Sequence, residues 1–155
     1  GNERVQNYET ICGGSGASIN QEGCSAVHTH MTNSRLTDPE VLEWRFPVRL
    51  ESFSIRKNSG GKGLKNGGDG VDRRIRFLEP MTVNIITGHR IVPPYGLAGG
   101  NSGAVGKNYV IHSNNNITEL KTKGQIEVVK DDIFVLKTPG GGGFGKSVSV
   151  QQNKP

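Results

Sequence analysis

Residues 140–147 read GGGGFGKS, which matches the phosphate-binding P-loop pattern G-x-x-x-x-G-K-S. In a P-loop, backbone N–H groups of a glycine turn surround the phosphates, and the N-terminus of a following helix points at them. After Ser147 the sequence reads VSVQQNKP, whose β-branched alternation and final proline do not predict a helix. We therefore expect no ATP site in this chain, and we expect the glycines to form a turn.

The segment HTHMTNSRLTDPE, residues 28–40, is the second candidate for chemistry. His28 and His30 would lie on one side of an extended strand, a spacing that can chelate a metal ion. A third ligand would have to come from a distant part of the chain, so surface or hydrogen-bonded histidines are the simpler interpretation. We predict no metal site from these residues.

Part of the same segment is explained by the start of a helix. Thr37 and Glu40 have the spacing of a capping box, and Pro39 suits the first helical turn. Four polar residues remain unexplained by this helix, and they carry groups that could hold a ring carbonyl or a carboxylate. These candidates for a substrate or partner surface are His28, His30, Asn33 and Arg35.

The composition excludes several classes of protein. The net charge is +5, but the basic residues are scattered and no series of aromatic residues accompanies them, so we expect no nucleic-acid partner. No apolar run approaches the roughly 20 residues that span a bilayer, so we expect no membrane insertion.

The two cysteines are too few for a disulfide framework and favour free thiols in a reducing compartment. The chain begins without methionine, and we expect it to be an excised piece of a longer protein.

The elements that must position these residues are mostly strands. One short helix is predicted between Thr37 and Pro47, and six short runs with a period of two follow it. A slip of this period between Leu50 and Phe53 predicts a β-bulge. The predicted strands are residues 48–57, 71–78, 81–87, 107–113, 125–129 and 132–137.

These elements predict a mainly β fold, a sandwich or distorted barrel with Gly-rich loops. We expect one domain overall, with a Gly-rich, extended N-terminal segment over residues 1–36 and a β-rich domain over residues 37–150. In the strand at 71–78, Val71, Ile75 and Phe77 share one face, and charged residues occupy the other. That wet face leaves open an alternative function, a stand-alone module that binds a polar ligand.

Five strings carry a resemblance to a known family over nearly the whole chain. In order they are ETICGGSGA, SAVHTHMTNSRLTDPEVLEWRFPVRL, GGKGLKNGGDGVDRRIRFLEPMTV, PPYGLAGGNSGAVGKN and TPGGGGFG. They resemble the C-terminal portion of the hydantoinase B/5-oxoprolinase family, and the strings ETICGG and HTHMTNSRLTDPE look most like 5-oxoprolinases. The Asp- and His-containing metal motifs of carboxylase relatives, which precede this portion, are not found here.

The resemblance implies part of a cytoplasmic, ATP-dependent amidohydrolase that opens 5-oxoproline or hydantoin rings. It implies that ATP and Mg²⁺ bind a companion hydantoinase A-type subunit or domain, and that a divalent metal ion could bind the upstream B part. The expected partners are this A-type part, the rest of the B subunit and a small cyclic-amide substrate. The isolated chain is expected to be inactive, and the resemblance assigns no catalytic residue to it.

Overall fold

The computed structural model describes residues 1–29, 32 and 34–147. This part of the chain forms one short helix and seven strands in two antiparallel sheets, which confirms the predicted mainly β class. The elements are α1 (Pro39–Arg45), β1 (Val48–Ile55), β2 (Val71–Phe77), β3 (Met81–Ile86), β4 (Lys107–Ile111), β5 (Ile117–Leu120), β6 (Lys123–Val128) and β7 (Ile133–Lys137). Within these described residues, no helix has the length and apolar character that crossing a membrane requires.

Helix α1 lies where it was predicted, but its cap differs from the prediction. The N-cap is Asp38, whose carboxylate accepts hydrogen bonds from the N–H groups of Glu40 and Val41 at 2.9 and 3.4 Å. Pro39 occupies the first turn, where its missing N–H costs nothing. The predicted capping box at Thr37 was wrong because Asp38, one residue later, provides the side-chain acceptor. The N–H of Thr37 instead donates to Glu9.

The larger sheet has five strands in the order β1-β2-β7-β4-β5. Its register shifts between Leu50 and Ser52 on β1, which confirms the predicted bulge. All six predicted strands are present, and β5 is an additional one. The four residues of β5 are mostly exposed, so they have no alternation of apolar and polar residues from which a strand could be predicted.

The smaller sheet pairs β3 with β6, and its apolar side packs on the five-stranded sheet. Leu42 of α1 contributes to the same core and is 1% exposed. Residues from both sheets and the helix therefore form one hydrophobic cluster. Its buried members are Leu42, Val48, Phe77, Met81, Val110 and Val128.

Strand β2 carries one exception to the predicted apolar face. Arg73 shares the inner side with Val71 and Ile75, and it is only 4% exposed. The opposite side is charged as predicted, and its charges pair across strands: Arg76 with Glu51 at 2.6 Å, and Asp72 with Lys137 at 3.2 Å. The charges on the solvent-facing side of β2 are therefore paired within the chain.

The glycine-rich segments form a separate buried layer beside the sheets. The segment 139–145 runs through its centre, and Gly140–Gly143 are buried. Three other extended segments surround it, from the N-terminal region, from residues 59–70 and from residues 94–106. The prediction that these glycines form a turn was wrong, since they run through the layer and bond to chain segments on several sides.

The hydrogen bonds of the central segment repeat every three residues. Positions 139 and 142 accept from the N-terminal segment, positions 140 and 143 donate to residues 101–104, and positions 141 and 144 donate to residues 65–68. The six pairs are Pro139–Gly14, Gly142–Ala17, Gly140–Ala104, Gly143–Asn101, Gly141–Gly68 and Phe144–Lys65, at 2.8 to 3.2 Å. Three residues per turn without internal hydrogen bonds is the geometry of a polyproline II helix.

Glycine is required in this layer because the backbones touch. A Cβ on Gly141 would lie 1.8 Å from the carbonyl oxygen of Ser15, and one on Gly142 would lie 1.9 Å from that of Tyr95. No real Cβ atom approaches backbone so closely. The run of four glycines is therefore the sequence signature of a chain enclosed by backbone on all three of its faces.

Candidate functional site

A cleft of about 1730 Å³ opens where the sheet, the N-terminal segment and the glycine layer meet. Its floor is apolar and includes Ile75, Phe77 and Phe134. Charged side chains also line it. Arg73 and Glu9 form one group, Arg90 beside His89 forms a second, and Glu3 and Glu127 line the cleft as well.

Glu9 and Arg73 form an ion pair inside the cleft. The distance from Arg73 Nη1 to Glu9 Oε2 is 2.6 Å, and the two side chains are only 5% and 10% exposed. Burial by itself would raise the pKa of Glu9. The hydrogen bond and charge of Arg73, with the N–H of Thr37, outweigh burial and hold that pKa below its ordinary value. The pair fastens the N-terminal segment to strand β2, across the cleft wall.

The sequence contained a signal for this pair that the prediction did not use. An arginine in the apolar phase of a strand, between Val71 and Ile75, must be satisfied by a buried acceptor. The partner could not be deduced, because Glu9 lies 64 residues away. The arginines at 74 and 76 are also paired, with Asp72 and Glu51 respectively, so the densest basic group of the sequence is neutralised within the chain.

Arg90 is half-buried and contacts neutral acceptors. Its Nε and Nη2 atoms donate to Asn108 Oδ1 at 3.0 and 2.8 Å, and Nη1 donates to the carbonyl oxygen of Gly88 at 2.6 Å. Burial, together with the nearby charge of Arg56, lowers the pKa of Arg90 to about 10. The side chain is still protonated at neutral pH.

The predicted surface at residues 28–35 falls only partly within the described residues. His28 is half-buried and Arg35 is exposed, and no described residue forms a hydrogen bond or ion pair with either side chain. His30 and Asn33 lie outside the described residues. Val27 and Thr29 line the cleft, whereas His28 between them does not. The structure therefore brings Val27 and Thr29 to the cleft, and the role of the four candidates stays a prediction.

The P-loop match does not fit a phosphate site in this structure. The N–H groups of Gly140, Gly141 and Gly143 already donate to carbonyl oxygens of neighbouring segments. A phosphate would have to displace these bonds from a buried layer, whereas a P-loop presents its N–H groups free to the ligand. Lys146 and Ser147, which complete the pattern, are exposed beyond the layer.

A second polar cluster lies away from the cleft. His112 Nδ1 is 3.0 Å from Asp132 Oδ2, and His112 Nε2 is 2.9 Å from Thr118 Oγ1. Burial alone would raise the pKa of Asp132, but N–H donors from Val129 and Ser113 and the contact with His112 lower it. None of the three side chains in this chain of contacts lines the cleft. The cluster fastens the β4–β5 hairpin to the turn before β7.

The two cysteines differ in their exposure to solvent. Cys12 is buried, which raises its pKa, Cys24 is exposed, and the two thiols are free as predicted. In the part of the chain that the structure covers, no three His, Cys, Asp or Glu side chains are grouped so that they could hold a metal ion.

Comparison with known proteins identifies the family. The family model described as hydantoinase B/oxoprolinase matches residues 1–147. The chain belongs to the hydantoinase B/oxoprolinase family. It is 44% identical over 150 residues to a 5-oxoprolinase of Dictyostelium discoideum and 45% identical over 148 residues to 5-oxoprolinase 1 of Arabidopsis thaliana, covering 97% and 96% of the chain. It spans 12% of the length of each of these relatives.

A solved structure supports the fold. The ATP-dependent caprolactamase of Pseudomonas jessenii matches with a TM-score of 0.72 and 23% sequence identity. The match covers 88% of this chain and 25% of the caprolactamase chain. At this identity the likeness shows a shared architecture and carries no residue roles. The resemblance stated from the five sequence strings is confirmed by the family match.

Proposed function

We propose that this chain is the C-terminal domain of the B portion of an ATP-dependent cyclic-amide hydrolase, of the 5-oxoprolinase or N-methylhydantoinase type. Identity of about 45% to two 5-oxoprolinases over almost the whole chain is the observation that carries this proposal. The domain contributes structure, contacts to other parts of the enzyme, and one wall of the substrate cleft.

The chemistry that needs ATP and Mg²⁺ belongs, in this proposal, to a hydantoinase A-type subunit or domain. The buried glycine layer supports this division, because the N–H groups of Gly140, Gly141 and Gly143 donate to neighbouring backbone and not to a ligand. A divalent metal ion, where the reaction uses one, binds in the upstream part of the B portion. The enzyme is cytoplasmic, and the domain alone does not open rings.

The cleft gives the domain a way to take part in substrate binding. Its apolar floor suits a small ring, and its charged walls suit the polar groups of a cyclic amide. Thr29 of the segment 28–35 lines the same cleft, and so does Val27 just before it. We propose His28, His30, Asn33 and Arg35 as the surface through which the domain meets the substrate or the A-type part.

The test uses the complete protein that contains this sequence, together with its A-type companion. We expect ring opening of 5-oxoproline or hydantoin that depends on ATP and releases ADP. Arg35→Ala or His30→Ala should lower this activity or the association of the A and B parts, while the melting temperature stays within a few degrees. Lys130→Ala, at an exposed turn, is the matched control.

Two results would contradict the proposal. A complete protein that opens none of these rings in the presence of ATP would refute the enzyme assignment. If the variants at 30 and 35 match Lys130→Ala in both activity and assembly, the segment is structural and its functional assignment must be dropped.

A further inference from the structure

The two arginines of the cleft differ in how their charge is balanced. Arg73 lies against the carboxylate of Glu9 at 2.6 Å, whereas the hydrogen-bond acceptors of Arg90 among the described residues are an amide oxygen and a carbonyl oxygen. Among the described residues, no carboxylate lies within ion-pair distance of Arg90 or of its neighbour Arg56. The second region of the cleft therefore carries uncompensated positive charge.

The guanidinium of Arg90 is held firmly in place. Asn108, which accepts two of its N–H bonds, is only 3% exposed, and its amide nitrogen donates to Thr87 Oγ1 at 3.0 Å. On another side Arg90 packs against Gly106, where a Cβ would lie 2.3 Å from Nη1. A side chain at position 106 would displace the guanidinium, so the glycine makes room for it.

Burial of this charge costs free energy that an anion would recover. Desolvation and the charge of Arg56 lower the pKa of Arg90 to about 10, because both disfavour the charged form of the side chain. Arg56 is fixed close by, since its Nη1 donates to Val105 O at 2.7 Å and to Thr138 O at 3.0 Å. A bound carboxylate would neutralise one of these two positive charges.

Arg90 retains the donors for such a ligand. A guanidinium has five N–H bonds, and the described contacts use one on Nε and one on each terminal nitrogen. One N–H bond on each terminal nitrogen is left, and such paired donors match the two oxygens of a carboxylate. Tyr95 and Leu97 line the same cleft and provide apolar surface for a small ring.

We propose that Arg90 binds the carboxylate of a ring-shaped ligand and thereby selects, among cyclic amides, those that carry a carboxylate. This inference rests on the proposed function and assigns its substrate class. 5-Oxoproline has the required groups, a five-membered cyclic amide with a carboxylate. 2-Pyrrolidinone is the same ring without the carboxylate, and it provides the matched probe.

The experiment measures binding to the complete protein by calorimetry without ATP. We expect 5-oxoproline to bind at least about tenfold more tightly than 2-pyrrolidinone, since a hydrogen bond to a charged group contributes about 1.5–3 kcal/mol. Arg90→Gln should weaken 5-oxoproline binding by about 10- to 100-fold and leave 2-pyrrolidinone binding unchanged. Arg90→Lys should recover part of the loss, because it keeps the charge without the paired donors. Arg49→Gln, on the exposed side of β1, is the control.

Inorganic phosphate distinguishes a substrate carboxylate from anions in general. We expect equimolar phosphate to leave 5-oxoproline binding unchanged, and displacement by phosphate would overturn the assignment to a substrate carboxylate. Equal binding of the two rings by the wild-type protein, or no binding of either, would also refute it. This comparison uses no variant, so it holds even where Arg90→Gln fails to fold.

The inference and the proposed function fail differently. A protein that binds 5-oxoproline through Arg90 but shows no ATP-dependent ring opening retains the carboxylate site and loses the enzyme assignment. A protein that opens 5-oxoproline with an unchanged KM in Arg90→Gln keeps the enzyme assignment and loses the carboxylate site.

Discussion

The five-stranded sheet and the glycine layer are both buried, but different atoms hold them together. In the sheet region, side chains such as Leu42 and Val110 fill the space between two sheets. In the glycine layer, backbone carbonyl and N–H groups of four extended segments bond directly to one another. The sheet core therefore depends on the volume of its side chains, whereas the layer depends on having none.

The largest loss in the free energy of unfolding is expected when one methyl group is added to the glycine layer. In Gly141→Ala the new Cβ would lie 1.8 Å from Ser15 O, and backbone on three sides leaves no direction in which it can move. We expect a loss of more than about 5 kcal/mol in the free energy of unfolding, measured by urea denaturation. Gly124→Ala, with no atom within 4 Å of its Cβ, is the control and should change stability by less than about 0.5 kcal/mol. Equal stability of the two variants would break the distinction between the regions.

The next largest loss of stability is expected from breaking the ion pair that links the glycine layer to the sheet. Glu9 belongs to the N-terminal segment beside the layer, and Arg73 belongs to the sheet. Glu9→Gln leaves Arg73 charged and buried, so we expect a loss of about 3–5 kcal/mol at neutral pH. Glu79→Gln removes an ion pair with Arg4 whose side chains are 40% and 72% exposed, and it should cost less than about 1 kcal/mol.

The same pair predicts the direction of a pH dependence. The pKa of Glu9 in the folded protein lies below its ordinary value of 4.5. Its stabilisation is therefore complete above pH 4.5 and is lost as the pH falls through the lowered pKa. Urea denaturation between pH 3 and 7 should show that the free energy of unfolding falls more steeply with decreasing pH in the wild type than in Glu9→Gln. Parallel profiles would mean that Glu9 is not ionised in the folded state.

A smaller loss is expected from truncation in the sheet core. Leu42 is 1% exposed, and Leu42→Ala should cost about 3 kcal/mol because it leaves a cavity among the core side chains. Val41 on the same helix is 41% exposed, and Val41→Ala should cost less than about 1 kcal/mol. Thermal and urea unfolding measure both. A loss larger than that of Gly141→Ala would reverse the ranking of the two regions.

The smallest change in stability is expected for a substitution of Lys146, at the end of the P-loop match. Lys146 is exposed beyond the layer, and the N–H groups of Gly140, Gly141 and Gly143 are bonded to backbone. Calorimetric titration of the chain with Mg-ATP should therefore give no saturable heat, and Lys146→Ala should leave stability unchanged. Micromolar ATP binding that Lys146→Ala abolishes would show that the layer opens to a nucleotide.

The parts of the fold that could be predicted are those with a local cause. Alternation of apolar residues located six strands, and Pro39 and Pro47 bounded the helix. The period slip in β1 located its bulge. The choice of Asp38 over Thr37 as N-cap was missed because the tertiary structure decides which of two similar local caps forms, and β5 was missed because its four residues show no alternation of apolar and polar residues.

The candidate site was predictable to a lesser extent. The segment at 28–35 was proposed because a helix start left its polar residues unexplained, and its assignment stays a prediction although Val27 and Thr29 line the cleft. Arg90 was missed because nothing around it in the sequence shows that Asn108, 18 residues later, will hold it. Glu9 was missed for the same reason.

By itself the sequence determined the family, the mainly β class and the abundance of glycine, because motifs, alternation and composition are all properties of neighbouring residues. Only the tertiary structure decided what the glycines do and which charges are balanced. Four glycines in a row fit a turn or an enclosed helix equally well along the chain, and the difference lies in the backbone segments that surround them. Likewise Arg73 and Arg90 are both arginines near strands, and only the distance to Glu9 separates a structural ion pair from a cation able to bind a ligand.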